Sequence, residues 1–216
     1  MTRALVIAKA PVAGQVKTRL GAEVGMPLAA ELAAAALLDT LAACRDAFGA
    51  DRCLLALSGD LADAARGTEI ADALRGWTVF GQRGDGLGAR LAHAHTDVPP
   101  GEPVLQVGMD TPQLRARDLH DAAAALQDHD AVLGPAHDGG WWLLGLRSPS
   151  AAVVLRDVPM STATTYADTR AALERRGLRL ATTATMRDVD TRTDGNLLAA
   201  SYRDTEFSRA WAGALR

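Results

Sequence analysis

The chain has 216 residues, a formal net charge of −3 and 48% hydrophobic residues, enough apolar material for a sizeable core and too much for a disordered chain. The acidic balance argues against nonspecific nucleic-acid binding, and no apolar run is expected to reach the length needed to span a bilayer. Two cysteines, Cys44 and Cys53, with no CxxC pair, point to a reducing cytoplasm, and the short run behind Arg3 is too brief for a signal-peptide core.

In chain order, the β-like runs are Ala4–Ala8, Cys53–Ser58, Trp77–Phe80, Val104–Val107, Ala131–Leu133, Trp141–Leu146 and Leu178–Thr182. Helical stretches lie between them. Pro27 to Phe48 places Leu28, Leu32, Leu38, Leu41 and Phe48 on one broad face, and Gly49 suits its C-terminal cap. Asp60 can cap a helix running towards Leu74. Gly88 to Thr96, Ala116 to Gln127, Thr162 to Arg176 and Tyr202 to Arg216 also read as helices. This alternation predicts one α/β domain over residues 1–216, a three-layer α/β/α sandwich around a mixed, mostly parallel sheet. The gap before Trp141–Leu146 is too short for a parallel crossover, so one antiparallel strand is expected.

Five segments can carry chemistry. The first strand runs into a Pro/Gly loop bearing Lys9, Lys17 and Arg19, a candidate phosphate grip at the carboxyl edge of a sheet. It is neither a Walker loop nor a dinucleotide fingerprint. Val104–Val107 ends in Gly108-Met109-Asp110, where Asp110 offers a hard oxygen ligand to Mg²⁺ or Mn²⁺, or else begins an Asx turn or helix cap. Asp188 and Asp190 alternate onto one side of an extended segment, where either can complete a metal site with Asp110; capping the helix that follows is the simpler role. The Gly139-Gly140 pair beside His137 and Asp138 permits a close approach to an acceptor, and one of Trp141 and Trp142 should face the cleft. The glycine-rich stretch Gly81 to Gly88 opens a helix, whose N-terminus favours anions. His93 and His95 face different sides of that helix and make a poor metal pair.

Together the segments AKAPVAGQVKTRL (Ala8–Leu20), QRGDGLGARLAHA (Gln82–Ala94), VGMDTPQL (Val107–Leu114), GPAHDGGWWLLGL (Gly134–Leu146) and DVDT (Asp188–Thr191) resemble the GT-A, or nucleotide-diphospho-sugar transferase, superfamily. More narrowly, the chain resembles bacterial radical-SAM/selenodomain-associated, arsenosugar-type glycosyltransferases. These are similar in turn to 2-phospholactate guanylyltransferases and molybdenum cofactor nucleotidyltransferases. The resemblance implies a Rossmann-like GT-A fold and a nucleotide site formed by Ala8, Lys9, Ala10, Lys17, Arg19, Asp110 and the Gly86-Leu87-Gly88 turn, the last against the base. It implies Mg²⁺ or Mn²⁺ on Asp110 and Asp190. It puts His137, Asp138, Gly139, Gly140, Trp141, Ser161 and Thr162 on the acceptor side, and gives Lys17, Arg19, Asp110 and Asp138 catalytic roles. Thr111 replaces the family's usual serine, His137 an acidic residue, and Trp141-Trp142 a tyrosine pair.

Two reactions fit these residues. In nucleotidyl transfer, a phosphorylated or otherwise nucleophilic small molecule attacks the α-phosphate of an NTP and pyrophosphate leaves. In glycosyl transfer, an acceptor hydroxyl attacks the sugar of an NDP-sugar, with Asp138 or His137 as base. The cationic loop favours the first, because a triphosphate needs more compensating charge; the family label favours the second. A non-catalytic nucleotide-binding protein is the alternative of another class. The expected partners are a nucleotide and a small acceptor, with no nucleic acid or membrane, in a monomer or homodimer.

Overall fold

The computed structural model describes residues 1–214. Seven strands form one sheet: β1 (Arg3–Lys9), β2 (Cys53–Ser58), β3 (Thr78–Gly81), β4 (Val104–Val107), β5 (Ala131–Pro135), β6 (Trp141–Leu146) and β7 (Leu180–Thr182). Their order is β3-β2-β1-β4-β6-β5-β7. Only β6 runs against its neighbours: it pairs antiparallel with β4 and β5, while the other pairs are parallel. The short Gly139-Gly140 connection therefore produced the antiparallel strand that its length required. Three expected strands hold their bounds unchanged, and the rest shift at their ends by a residue or two.

Alternation along β1 and β2 splits the core. Val6 and Leu55 face one layer, with Leu37, Leu41 and Leu119; Leu5 and Leu54 face the other, with Leu91, Leu155 and Leu173. The first layer is built on α2 (Met26–Phe48), α3 (Gly67–Ala73) and α5 (Ala116–Ala125). The second is built on α4 (Gly86–Thr96), the 3₁₀ stretch Pro149–Asp157 and α6 (Thr165–Arg175). A third cluster joins α1 (Thr18–Val24), α2, α7 (Arg192–Ser201) and α8 (Glu206–Ala214) through Leu20, Leu32, Leu198, Phe207 and Trp211. Asp39 on α2 fixes α8 in place: its carboxylate accepts the N–H groups of Glu206 and Phe207 at 2.8 and 2.9 Å, a long-range cap for the helix start.

Some expectations need correcting. The helix from Asp60 to Leu74 is broken: Asp60 caps only a 3₁₀ turn, and Arg66, in a left-handed conformation, starts α3 afresh. Thr18–Leu20, read as the end of the opening loop, belong to α1 (Thr18–Val24). Helix α2, at 23 residues with a mean hydropathy of 1.5 in its most apolar window, is long and apolar enough to cross a membrane by length and composition. Here 72% of that window is buried, wedged between the sheet, α5 and α8, so the apolar character serves the core. The last residues of the C-terminal helix expected to Arg216 lie outside the described residues.

Candidate active site

The site lies at the carboxyl edge of β1 and β4, next to the reversed strand β6, where open α/β sheets take their ligands. Its centre is three carboxylates. One oxygen each from Asp110, Asp188 and Asp190 lies within 4.8 Å of the others. Asp110 ends the turn after β4, and its carbonyl accepts the N–H of Val189 at 3.0 Å. That bond, with Val189 buried, holds the extended segment so that its two flanking aspartates turn towards Asp110. The competing cap roles are filled elsewhere. Thr191 and Asp194 form the capping box of α7, and Arg115 occupies the N-cap of α5.

Lys17 reaches into this cluster. Its Nζ lies 2.8 Å from Asp110 Oδ2 and 2.8 Å from Asp190 Oδ1, with the side chain only 10% exposed. Burial alone would lower the lysine's pKa; the two carboxylates outweigh it and hold the ammonium above its ordinary value. The backbone pays for this placement. Val16 packs against Ala30 and Ala33 of α2, and the next residue, Lys17, takes φ 46°, left-handed for a non-glycine. Asp188 has the opposite environment: burial first, then the charges of Asp110, Asp138 and Asp190, push its carboxyl up to about 6.

Two hollows meet at Met109 and Asp110. One, on the opening-loop side, is lined by Lys9, Gln15, Lys17, Thr18, Arg19 and Asp190. Lys9 and Arg19 are exposed there, and Arg19 makes only a 3.4 Å contact with Asp190. The other, about 290 Å³, lies over β4 and β6 and includes Asp138, Gly140, Trp141, Ser161, Thr162 and Asp188. Trp142 is buried, donating from Nε1 to the Ala184 carbonyl, while Trp141 is partly open to the hollow. The expected division between the two tryptophans is therefore present.

The structure thus gathers Lys9, Lys17, Arg19, Asp110, Asp138, Gly140, Trp141, Ser161, Thr162 and Asp190 around one site. Leu87 joins them from the start of α4. Other expected members do not arrive. The Ala8 carbonyl accepts from Gln82 Nε2 at 2.9 Å and the Ala10 N–H donates to the Ser58 carbonyl, so these groups tie β1 to its surroundings rather than face a ligand. Gly86 has open space around it, but Gly88 is buried, and a Cβ there would collide with the Leu155 carbonyl; its role is packing. Gly139 likewise sits against the Ala163 carbonyl at φ 89°, and His137 points to solvent outside both hollows. Cys44 and Cys53 are buried, and burial raises both thiols, which makes them poor nucleophiles.

Sequence reasoning missed the full part of Asp188, which it weighed only as an alternative to Asp190, and it missed Gln106 entirely. Gln106 lines the β4 hollow from inside an otherwise apolar strand. A lone amide in a buried four-residue run was the available signal.

Comparison with known proteins bears on this geometry. The family described as "Uncharacterized protein conserved in bacteria (DUF2064)" matches residues 40–162, a span that holds Asp110 and Asp138. No curated protein matches the chain. A solved protein of Desulfovibrio desulfuricans G20, provisionally named a nucleotide-diphospho-sugar transferase, is 30% identical, with a TM-score of 0.83 over 100% of this chain and 94% of that one. Rv0371c of Mycobacterium tuberculosis H37Rv, solved as a manganese complex, is 17% identical, with a TM-score of 0.55 over 91% and 97%. A CMP:2-keto-3-deoxy-manno-octonic acid synthetase solved with CTP is 13% identical, with a TM-score of 0.54 over 94% and 98%. The last two show the shared fold. The fold is therefore that of the nucleotidyltransferase and GT-A-like superfamily, and the chain belongs to the DUF2064 family of bacterial proteins.

Proposed function

We propose that this protein is a divalent-metal-dependent, nucleotide-utilising transferase, and that the transferred group is a nucleotidyl unit from an NTP. The observation that carries the reading is the Asp110–Asp188–Asp190 cluster set between a cationic hollow and an acceptor-sized one. Three carboxylate oxygens within 4.8 Å are a hard donor set that fits Mg²⁺ or Mn²⁺. The ammonium of Lys17 seated between two of them shows that the cluster already calls for positive charge. The names of similar folds add support: transferase for the Desulfovibrio protein, a manganese complex for the mycobacterial one, and bound CTP for the synthetase.

In this reading Lys9 and Arg19 draw the triphosphate into the opening-loop hollow, and Lys17 is within reach of the same phosphates. The metal, when bound, would supply Lewis-acid stabilisation of the charge that develops on the phosphate oxygens. The acceptor lies in the β4 hollow. Its oxygen bonds to the α-phosphorus, the bond from that phosphorus to the bridging oxygen breaks, and pyrophosphate leaves. The acceptor's proton passes to Asp138, the exposed carboxylate on that wall. The second reading, glycosyl transfer from an NDP-sugar, is favoured by the name of the Desulfovibrio relative and uses the same Asp138 as base.

The test is a donor panel of NTPs and NDP-sugars with Mg²⁺ or Mn²⁺ and small acceptors. Pyrophosphate release supports nucleotidyl transfer, and free NDP with a glycosylated product supports the second reading. Turnover that survives Asp110→Ala overturns the metal assignment. Nucleotide binding without any turnover returns the protein to a binding role.

A further inference from the structure

The two hollows that share Asp110 differ in charge. All the cationic side chains belong to the opening-loop hollow. Among the described residues, the β4 hollow is lined by no lysine, arginine or histidine; its charged groups are Asp110, Asp138 and Asp188. Its inner wall is apolar, formed by Ile7, Leu87, Leu91, Met160 and Trp141.

At the base of that wall lies Gln106, only 2% exposed. Its Oε1 lies 2.8 Å from His95 Nε2 of α4, itself 1% exposed. His95 Nδ1 has no partner among the described residues, and a proton there would be a buried donor left unpaired, so the imidazole carries its proton on Nε2 and donates it to the amide oxygen. Burial keeps this imidazole neutral, pushing its pKa down to about 4 against the smaller upward pull of Gln106. His95 Nδ1 then presents a bare lone pair. The His95 bond selects one of the two flips of the amide. The Gln106 NH₂ group is left with no hydrogen bond among the described residues, on a side chain that lines the hollow. The group is not among the buried unpaired atoms, so it opens onto the hollow, where an incoming oxygen can take the hydrogen bond that water otherwise supplies.

We propose that the β4 hollow takes an uncharged or cationic, partly apolar acceptor that presents a carbonyl or hydroxyl oxygen to Gln106 Nε2, with His95 as the residue that positions the amide. This rests on the reading above, in which the donor's phosphates occupy the other hollow. A phosphorylated acceptor, raised by the sequence, would bring its anion against Asp138, which no lysine, arginine or histidine of this hollow offsets; Lys17 and a bound divalent ion are taken up by the other aspartates and by the donor's phosphates. Charge complementarity thus separates the substrates: the anionic donor to Lys9, Lys17 and Arg19, the neutral or cationic acceptor to Gln106 and the apolar wall.

Methionine-methyl NMR on the full chain tests this, because Met160 lines the β4 hollow alone and Met109 lines both. The probes are benzamide, benzylamine and phenyl phosphate, which share a ring and differ in the polar group, added to the protein both without metal and with saturating Mg²⁺. Benzamide and benzylamine are expected to shift Met160, and phenyl phosphate to leave it unmoved. Gln106→Met should weaken benzamide about tenfold while changing benzylamine by no more than about twofold, the effect of one lost hydrogen bond. His95→Leu should erode the same preference, and His95→Asn, which keeps an N–H donor, should retain more of it. Leu87→Trp, at a half-exposed position, should weaken binding at Met160 for every probe and covers the case in which Gln106→Met does not fold. Phenyl phosphate shifting Met160 at lower concentration than benzamide would overturn the proposal, as would an unchanged benzamide affinity in Gln106→Met or Leu87→Trp, or a Met160 that answers to no probe. Nucleoside triphosphate with Mg²⁺ is followed in parallel at Met109. Silence there counts against the proposed function and is read separately from Met160.

Discussion

Lys17 and Asp110, 93 positions apart, meet at 2.8 Å, and this pair closes the opening loop onto the end of β4. The same ammonium holds Asp190 at 2.8 Å, so one positive charge is shared between two of the three clustered aspartates. A cation that binds the cluster is therefore held by carboxylates that Lys17 already pairs.

Lys17→Met should therefore destabilise the metal-free protein, by about 1–3 kcal/mol, because partly buried carboxylates lose their counter-ion. Added Mn²⁺ should restore more stability to the variant than it adds to the wild type, since no ammonium competes. Thermal unfolding with and without Mn²⁺ measures both. Equal Mn²⁺ shifts in the two proteins would show that Lys17 and the metal do not share the site.

Asp188 presents the reverse case. Burial and the charges of Asp110, Asp138 and Asp190 make its ionised form unfavourable. Asp188→Asn removes that repulsion and should raise the metal-free melting temperature by a few degrees, about the shift expected for a small gain in stability. It should also weaken Mn²⁺ binding at least about tenfold by removing one anionic ligand. Calorimetric titration alongside the melting curves decides this. A variant that binds Mn²⁺ as well as the wild type would leave Asp188 outside the metal site.

His95 sets a pH dependence. Burial first, with Gln106 opposing, holds its folded pKa at about 4, below the ordinary histidine value of 6.5. Between those values the unfolded chain binds a proton that the folded chain does not, so stability falls as pH falls through the window and is unaffected by His95 above it. The full effect is roughly 3 kcal/mol, of which about 2 kcal/mol should appear between about pH 7 and pH 5. Urea unfolding at the two pH values, compared between wild type and His95→Asn, isolates this share. Parallel losses in both proteins would contradict it.

Gly88 separates packing from ligand contact. A methyl group there meets the Leu155 carbonyl, so Gly88→Ala should lose about 1–3 kcal/mol by overpacking. Nucleotide affinity, measured where the variant is folded, should stay close to that of the wild type. A selective loss of nucleotide affinity at unchanged stability would restore Gly88 to the base-binding role that the resemblance implied.

The order of elements was legible because each strand is short, apolar and bounded by turn residues. Cys53–Ser58, Val104–Val107 and Trp141–Leu146 carry their own limits. The break at Arg66 and the short helix after Lys17 were not legible. Both begin at left-handed residues without glycine, which local propensity does not anticipate and tertiary contacts impose. At the site, Asp110 and the opening cations announced themselves by their place after strands. Ala8, Ala10, Gly88 and Gly139 lay in the right motifs, yet their backbone bonds or close contacts commit them to the fold.

Sequence alone determined the α/β class, the reversed strand and the types of group available, because periodicity, loop length and residue chemistry are local properties. Only the tertiary structure decided which groups meet. The bond from Val189 to the Asp110 carbonyl brings two aspartates beside a third, and the left-handed turn at Lys17 drives an ammonium between them. The pairing of His95 with Gln106 leaves one amide donor facing an apolar, acidic hollow. Such encounters join residues far apart in the chain, and their electrostatics depend on burial, which no local pattern contains.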